Sequence, residues 1–353
     1  MKALGAAKRG AWLIPALAGV TLAVSLASLA HGTAAIPPGT IASILVHQAG
    51  LPPVFGAFAA HEEAIIMSIR LPRLLLGLAI GSTLAMAGAC LQGLFRNPLA
   101  DPGLIGVAGG GGIGAVAAFV LGGAVIGTLP VLEAWILPLF AATGSIVTTF
   151  LVYQLAKVRG VVSVPHLLLT GIAVNAIATA LIGSLIFLAT DDQLRRFAFW
   201  TLGSLQRAGW RECLPLLAVA AVALAWLPRY GRALDALLLG ESEAYHLGID
   251  LDRVKRALVL LCATAVGAGV AVAGIIGFIG LVAPHLIRLI AGPGHRVLLP
   301  AAALLGAALL VGADLVARTA LAPAEIPIGI LTALVGGPFF LYLLHRDKQR
   351  LVP

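Results

Sequence analysis

Residues 257–291 read ALVLLCATAVGAGVAVAGIIGFIGLVAPHLIRLIA, with Arg288 the one charged side chain in the stretch. A helix needs about 20 apolar residues to cross roughly 30 Å of hydrocarbon, so the stretch can form one long span or two short ones. Gly274, Gly277 and Gly280 offer a place to turn. Further apolar blocks occupy 11–31, 71–93, 104–124, 134–156, 165–189, 212–228, 297–317 and 327–345, so splitting the stretch into 257–274 and 276–291 makes ten spans. Ten spans place both termini and the 229–256 loop on one side. That side then holds Lys2, Lys8, Arg9, Arg96, Lys157, Arg159, Arg229, Arg232, Arg253, Lys255, Arg256, Arg288, Arg296, Arg346, Lys348 and Arg350, sixteen of 23 basic residues. Cytoplasmic loops collect Lys and Arg. A ninefold count would turn the tail His345–Arg350 outward, against that tendency, so the spacing predicts ten helices with both termini cytoplasmic.

Composition points the same way. Of the 353 residues, 60% are apolar and 11% charged, against about a quarter charged in an ordinary soluble domain. Lipid is the solvent for most of this chain. The net charge of +8 follows from loop basicity, and with 6% aromatic residues and no basic run interleaved with them, a nucleic-acid surface is not expected. Cys90, Cys213 and Cys262 lie far apart and suggest no disulfide framework. The first block, Trp12–Ala30, follows Lys2, Lys8 and Arg9 as a signal peptide would, but its length reads as a retained helix. The chain is expected to be one membrane domain over 1–353. An outer loop spans 32–70, an outer segment at 190–211 is long enough for a surface helix, and a charged inner loop runs over 229–256.

Several motifs fail on context. Gly109-x-Gly111-x-x-Gly114 matches a dinucleotide fingerprint, yet no strand precedes it. There is no Gly-Lys pair, hence no phosphate loop, and any ATPase must be another chain. The eight histidines never fall three or four apart, which leaves metal binding unsupported. Gly-x-Ser-x-Gly is absent, so no catalytic residues are expected. Gly106, Gly110 and Gly114 share a helix face, as do Gly77 and Gly81; small residues at this spacing let helix backbones approach in lipid.

Polar features inside or beside the spans are the functional candidates. Asp314 and His285 are ionisable groups within apolar segments, open to a functional or a helix-pairing role. Arg70 and Arg73 sit one helical turn apart at the outer end of the second span, and Arg318 at the outer end of the ninth. They read either as headgroup contacts or as docking charges for an acidic partner. Asn97-Pro98-Leu99-Ala100-Asp101-Pro102-Gly103 is a stiff inner turn, with Asn97 placed to cap the next segment. Leu239–Gly248 reads as a short helix, a turn and another helix in the inner loop.

These motifs, with Gly-Phe-Ile-Gly-Leu-Val-Ala-Pro-His-Leu-Ile-Arg at 277–288, His-Arg-Val-Leu-Leu-Pro at 295–300, Ala-Asp-Leu-Val-Ala-Arg at 313–318 and Ala-Glu-Ile-Pro-Ile-Gly at 324–329, run in order from about residue 65 to 345. The chain resembles the FecCD-like permeases of ABC importers for iron-siderophores, haem and vitamin B12. That resemblance implies an all-α polytopic fold like the vitamin B12 importer permease, in the bacterial inner membrane. It implies a homodimer, two cytoplasmic ABC ATPase subunits that bind ATP-Mg, and a periplasmic substrate-binding protein. The periplasmic segments would be 32–70 and 190–211, and the coupling loop 229–256. By the same resemblance Arg70, Arg73 and Arg318 dock the binding protein, and Asn97, Leu99, Val164 and Pro165 gate the cytoplasmic side. Gly240, Glu241 and Gly248 belong to the coupling helices. Val164 and Pro165 stand where the vitamin B12 permease has hydroxyl residues. The segment Gln193–Leu205 looks most like the haem-importing branch, with ferric siderophore and cobalamin as alternatives. An ion-coupled secondary transporter would need buried carboxylates, for which only Asp314 is available.

Overall fold

In hydrocarbon a backbone N–H or C=O finds no water, so a spanning segment must satisfy its own polar groups as a helix. The computed structural model describes residues 2–32, 34–128, 133–158, 160–207 and 209–351; Arg159, counted above among the inner basic residues, lies outside them. In chain order the helices are α1 (Lys2–Ala30), α2 (Pro38–Gln48), α3 (Ala60–Ala64), α4 (Leu71–Leu94), α5 (Val107–Thr128), α6 (Glu133–Leu155), α7 (Val164–Phe187), α8 (Asp191–Thr201), α9 (Trp210–Trp226), α10 (Gly231–Leu239), α11 (Glu241–His246), α12 (Leu251–Ala273), α13 (Ile279–Ala291), α14 (His295–Thr319) and α15 (Ile328–Leu351). A small hairpin, β1 (Lys157–Val158) and β2 (Val161–Val162), joins α6 to α7.

Each of the ten expected spans lies on a helix. The stretch 257–291 divides, because Gly274 takes φ +75 and Phe278 φ +67. Helix α13 is only about 20 Å long at 1.5 Å per residue, so the extended chain before it completes the crossing. A left-handed conformation at a bulky residue costs about 1–3 kcal/mol. Phe278 adopts it with its ring over Gly336, where any Cβ would overlap the ring. Seven helical stretches are long and apolar enough to cross a bilayer, and Val107–Gly123, Ile279–Ala291 and Ile328–Tyr342 are shorter apolar ones.

Helix α4 is the centre of the bundle and packs against α9, α12, α13 and α14. It runs antiparallel to α12: Cys262 faces the Ala87 carbonyl, and Gly269 faces Ile80. One end of the bundle therefore carries Arg73, Ala273 and α8, and the other carries Leu94, Leu251 and α11. Ser28 meets Arg318 at the α8 end, and Gly329 meets Leu202 there. So α1 begins and α15 finishes at the α11 end.

Glycine sets the closest helix contacts. A Cβ on Gly81 of α4 would overlap the Gly306 carbonyl of α14, and one on Gly110 of α5 the Gly144 carbonyl of α6. The expected outer loop 32–70 is itself partly helical. Pro38 occupies the first position of α2, where its missing N–H costs nothing, and Ile41 and Ile44 pack on Leu29 and Ile66.

Gly81→Val should cost about 2 kcal/mol or more through overpacking of α4 on α14. Gly183→Ala, on an open helix face with nothing within 4 Å, should be neutral or slightly stabilising. Thermal melting of the purified protein in lipid nanodiscs reads both.

Candidate functional site

At the α8 end, two arginines meet two carboxylates, and a third arginine lies beside them. Arg73 places Nε 3.0 Å from Asp314 Oδ1 and Nη2 2.8 Å from the same oxygen, while its Nη1 and Nη2 lie 3.1 and 2.9 Å from the two Glu325 carboxylate oxygens. A guanidinium presents five N–H donors in a planar fork, which is why one Arg can hold two anions at once. Arg318, one turn after Asp314 on α14, faces its Oδ2 at 3.6 Å and donates to Ser28 Oγ at 2.8 Å. Arg70 donates to the carbonyls of Leu29 at 2.6 Å, Ala30 at 3.2 Å and Ala34. All three arginines are buried, at 5%, 8% and 7% exposure for Arg70, Arg73 and Arg318. Within this chain the three guanidinium groups have protein partners rather than open solvent. The end of α1, the following turn and the 320–327 connection close over them, because their donors satisfy carbonyls and carboxylates that would otherwise lack partners. Asp314 is thereby a helix-pairing carboxylate joining α4 to α14.

Beside this cluster a cavity of about 470 Å³ opens against α8, lined by Arg195, Arg196, Phe199, Trp200, Arg207 and Glu325 among others. Helix α8 exists because Thr190 and Gln193 form a reciprocal capping box. It is amphipathic: Phe197 is buried while Arg195, Arg196 and Phe199 are exposed. Glu325 is already held by Arg73, so the lining is cationic and aromatic. Among the described residues the buried indole N–H of Trp200 finds no acceptor.

At the α11 end, Asn97 Oδ1 accepts from the Leu99 N–H at 2.9 Å, closing the turn on itself. Capping of the next segment falls instead to Asp101, whose Oδ1 accepts from Gly103 N–H at 2.7 Å. Leu99 is 42% exposed and Ala100 buried. Beyond them the chain dips into the bundle, where Asn175, halfway along α7, donates to the Gly103 carbonyl at 3.1 Å. Val164 and Pro165 open α7, with Pro165 exposed and Val164 half-buried. Among the described residues no hydrogen bond or ion pair joins them to the Asn97 turn within one chain.

Gly240, at φ +128, separates α10 from α11, and Gly248, at φ +79, ends the turn after α11. Glu241 opens α11, and its Oε2 lies 2.8 Å from Lys255 Nζ. Tyr245 and Leu247 stand out from this end at 71% and 65% exposure. Lys255, Glu325 and the ties of Asp314 were not singled out from the sequence. For Lys255 a signal was present: it shares an α12 face with Leu258, Val259 and Cys262, all fully buried, so a charge on that face required a partner.

Removing one member of a buried ion pair leaves its partner uncompensated, at about 3–5 kcal/mol. Arg73→Ala should therefore lower the melting temperature sharply, whereas the double variant Arg73→Met with Asp314→Leu should recover much of the loss. Equal melting of the single and double variants would contradict the tie.

Comparison with known proteins then places the chain. It is 41% identical over 337 residues to the cobalamin import system permease protein BtuC of Halobacterium salinarum, covering 95% of this chain and 86% of that one. It is 44% identical over 289 residues to the hemin transport system permease protein HmuU of Yersinia pestis, covering 81% and 84%. The structure superposes with TM-score 0.78, at 29% identity and over 94% of this chain and 98% of the other, on an inward-facing conformation of a putative metal-chelate type ABC transporter. Residues 20–346 match the FecCD transport family, and with relatives this similar over most of its length, the chain belongs to that family.

Proposed function

We propose that this chain is the permease subunit of an ABC importer that carries an iron-containing chelate, haem, from the periplasm to the cytoplasm. It works as a homodimer in the bacterial inner membrane, with two cytoplasmic ATPase subunits supplying ATP-Mg chemistry and a periplasmic protein delivering substrate. The observation that carries the substrate reading is the cavity beside α8. Haem is a flat aromatic ring with two carboxylates. Arg195, Arg196 and Arg207 offer charge-assisted donors for carboxylates, and Phe199 and Trp200 offer faces for a ring. Cobalamin is the second reading, favoured by relatives named for it at similar identity; ferric siderophore is the third.

Docking uses the α8 end. Because Arg70, Arg73 and Arg318 are enclosed, their first task in this reading is to shape the platform. A partner carboxylate reaching Arg73 would exchange with Glu325, whose side chain is 24% exposed, and not with Asp314 at 3%. At the opposite end Asn97, Leu99, Val164 and Pro165 line the cytoplasmic gate, with its halves supplied across the dimer. Gly240, Glu241 and Gly248 shape the seat of the ATPase. Alternating access follows when ATP binding and hydrolysis shift that seat. An ion-coupled mechanism lacks support, since Asp314 is committed to two arginines.

The deciding experiment is uptake into proteoliposomes holding the whole complex, with haem, a ferric siderophore and cobalamin compared. Haem should accumulate only with ATPase and binding protein present. Replacing Arg195 and Arg207 together with Gln should cut haem uptake about tenfold, the loss of one or two charged hydrogen bonds. Accumulation of cobalamin without haem would reject the substrate reading, and uptake without the ATPase would reject the importer reading.

A further inference from the structure

Lys255 is among the largest fully buried side chains of the protein, its side chain 2% exposed, at the charged end of the bundle where a lysine ordinarily reaches water. Taking an ammonium out of solvent costs several kcal/mol unless its donors are used. Here they are used across three segments. The residue itself sits in the second turn of α12. Its Nζ donates to the Val162 carbonyl at 3.0 Å and to Glu241 Oε2 at 2.8 Å. Val162 is the last residue of β2, buried to 2%, and only Ser163 separates it from Val164 and Pro165. The Ser163 N–H donates back to the Ala156 carbonyl at 3.2 Å, which closes the hairpin directly before α7 begins. Glu241 is the first residue of α11. Gly240 beside it, at φ +128, turns the chain between α10 and α11.

We infer that Lys255 is a positioning residue that transmits movement of α11 to the gate: one buried ammonium ties the ATPase seat, through Glu241, to the hairpin that carries Val164 and Pro165. The inference rests on the reading of α11 as that seat. A displacement of α11 pulls Glu241, and Glu241 holds the ammonium that holds Val162. The route needs no change in substrate contacts. It also accounts for why a lysine, whose three N–H donors can serve different segments, stands on an otherwise apolar helix face.

The test uses the reconstituted complex with binding protein and ATPase, supplied with haem, ferric siderophore and cobalamin in turn. The readout is substrate moved per ATP hydrolysed. Lys255→Gln should lower that ratio about tenfold, within the usual range of coupling energies, while the ATPase still co-purifies. Glu241→Gln takes the counter-charge from the buried ammonium while leaving an amide oxygen beside it, so its thermal melting is read alongside; it should lower the ratio in the same direction. A purely structural role would reduce uptake and ATP hydrolysis in proportion, leaving the ratio at the wild-type value; that result in both variants overturns the tie. The seat is judged separately by Tyr245→Ala with Leu247→Ala, which supply none of the hydrogen bonds of Lys255. Undiminished ATPase co-purification in that variant would defeat the seat reading, whatever the ratio shows for Lys255.

Discussion

Polar groups buried in a membrane protein find partners only within the protein, and here the constraint is met at one guanidinium. Arg73 holds Asp314 on α14 and Glu325 in the following connection, while Arg70 and Arg318 fasten the end of α1. Helices α1, α4 and α14 are thereby fixed at one end, and the central α4 brings its remaining neighbours into register. Below the cluster, helices meet through glycines with no side chain between backbones, which gives the van der Waals contact that replaces a hydrophobic driving force in lipid.

Helix α12 connects the two ends that matter for function. Its final residues, Val272 and Ala273, form part of the wall of the cationic, aromatic cavity beside α8. Its second turn carries Lys255, and its N-terminus is capped by Asp250, which accepts from Arg253 N–H at 3.0 Å. A capped helix running from the α8 end to the α11 end suits, on the proposed reading, a machine whose work is done by shifting packed elements.

Much of this was readable from residue patterns. The ten helices followed from apolar blocks and loop charge, and the break at Gly274 from the glycines around it. Arginines 70, 73 and 318 stood out in the sequence as charges at span ends, but their partners within the chain did not. Charge at the end of a span looks the same in sequence whether it faces water or a carboxylate more than two hundred residues away, as Asp314 and Glu325 are from Arg73. Within the 32–70 segment, Pro38 fits either a loop or a helix start, and only the packing of Ile41 and Ile44 distinguishes them.

What the sequence determined by itself was the solvent, the number of long apolar segments and the family, since these depend on composition, local periodicity and contiguous motifs. What the tertiary structure decided was which polar groups meet. The Arg73 fork, the reach of Lys255 to Val162 and Glu241, and the gathering of Arg195, Arg196 and Arg207 around one cavity all join residues distant along the chain or on separate elements. Such contacts are set by helix register and crossing, and no local pattern encodes those until the bundle has packed.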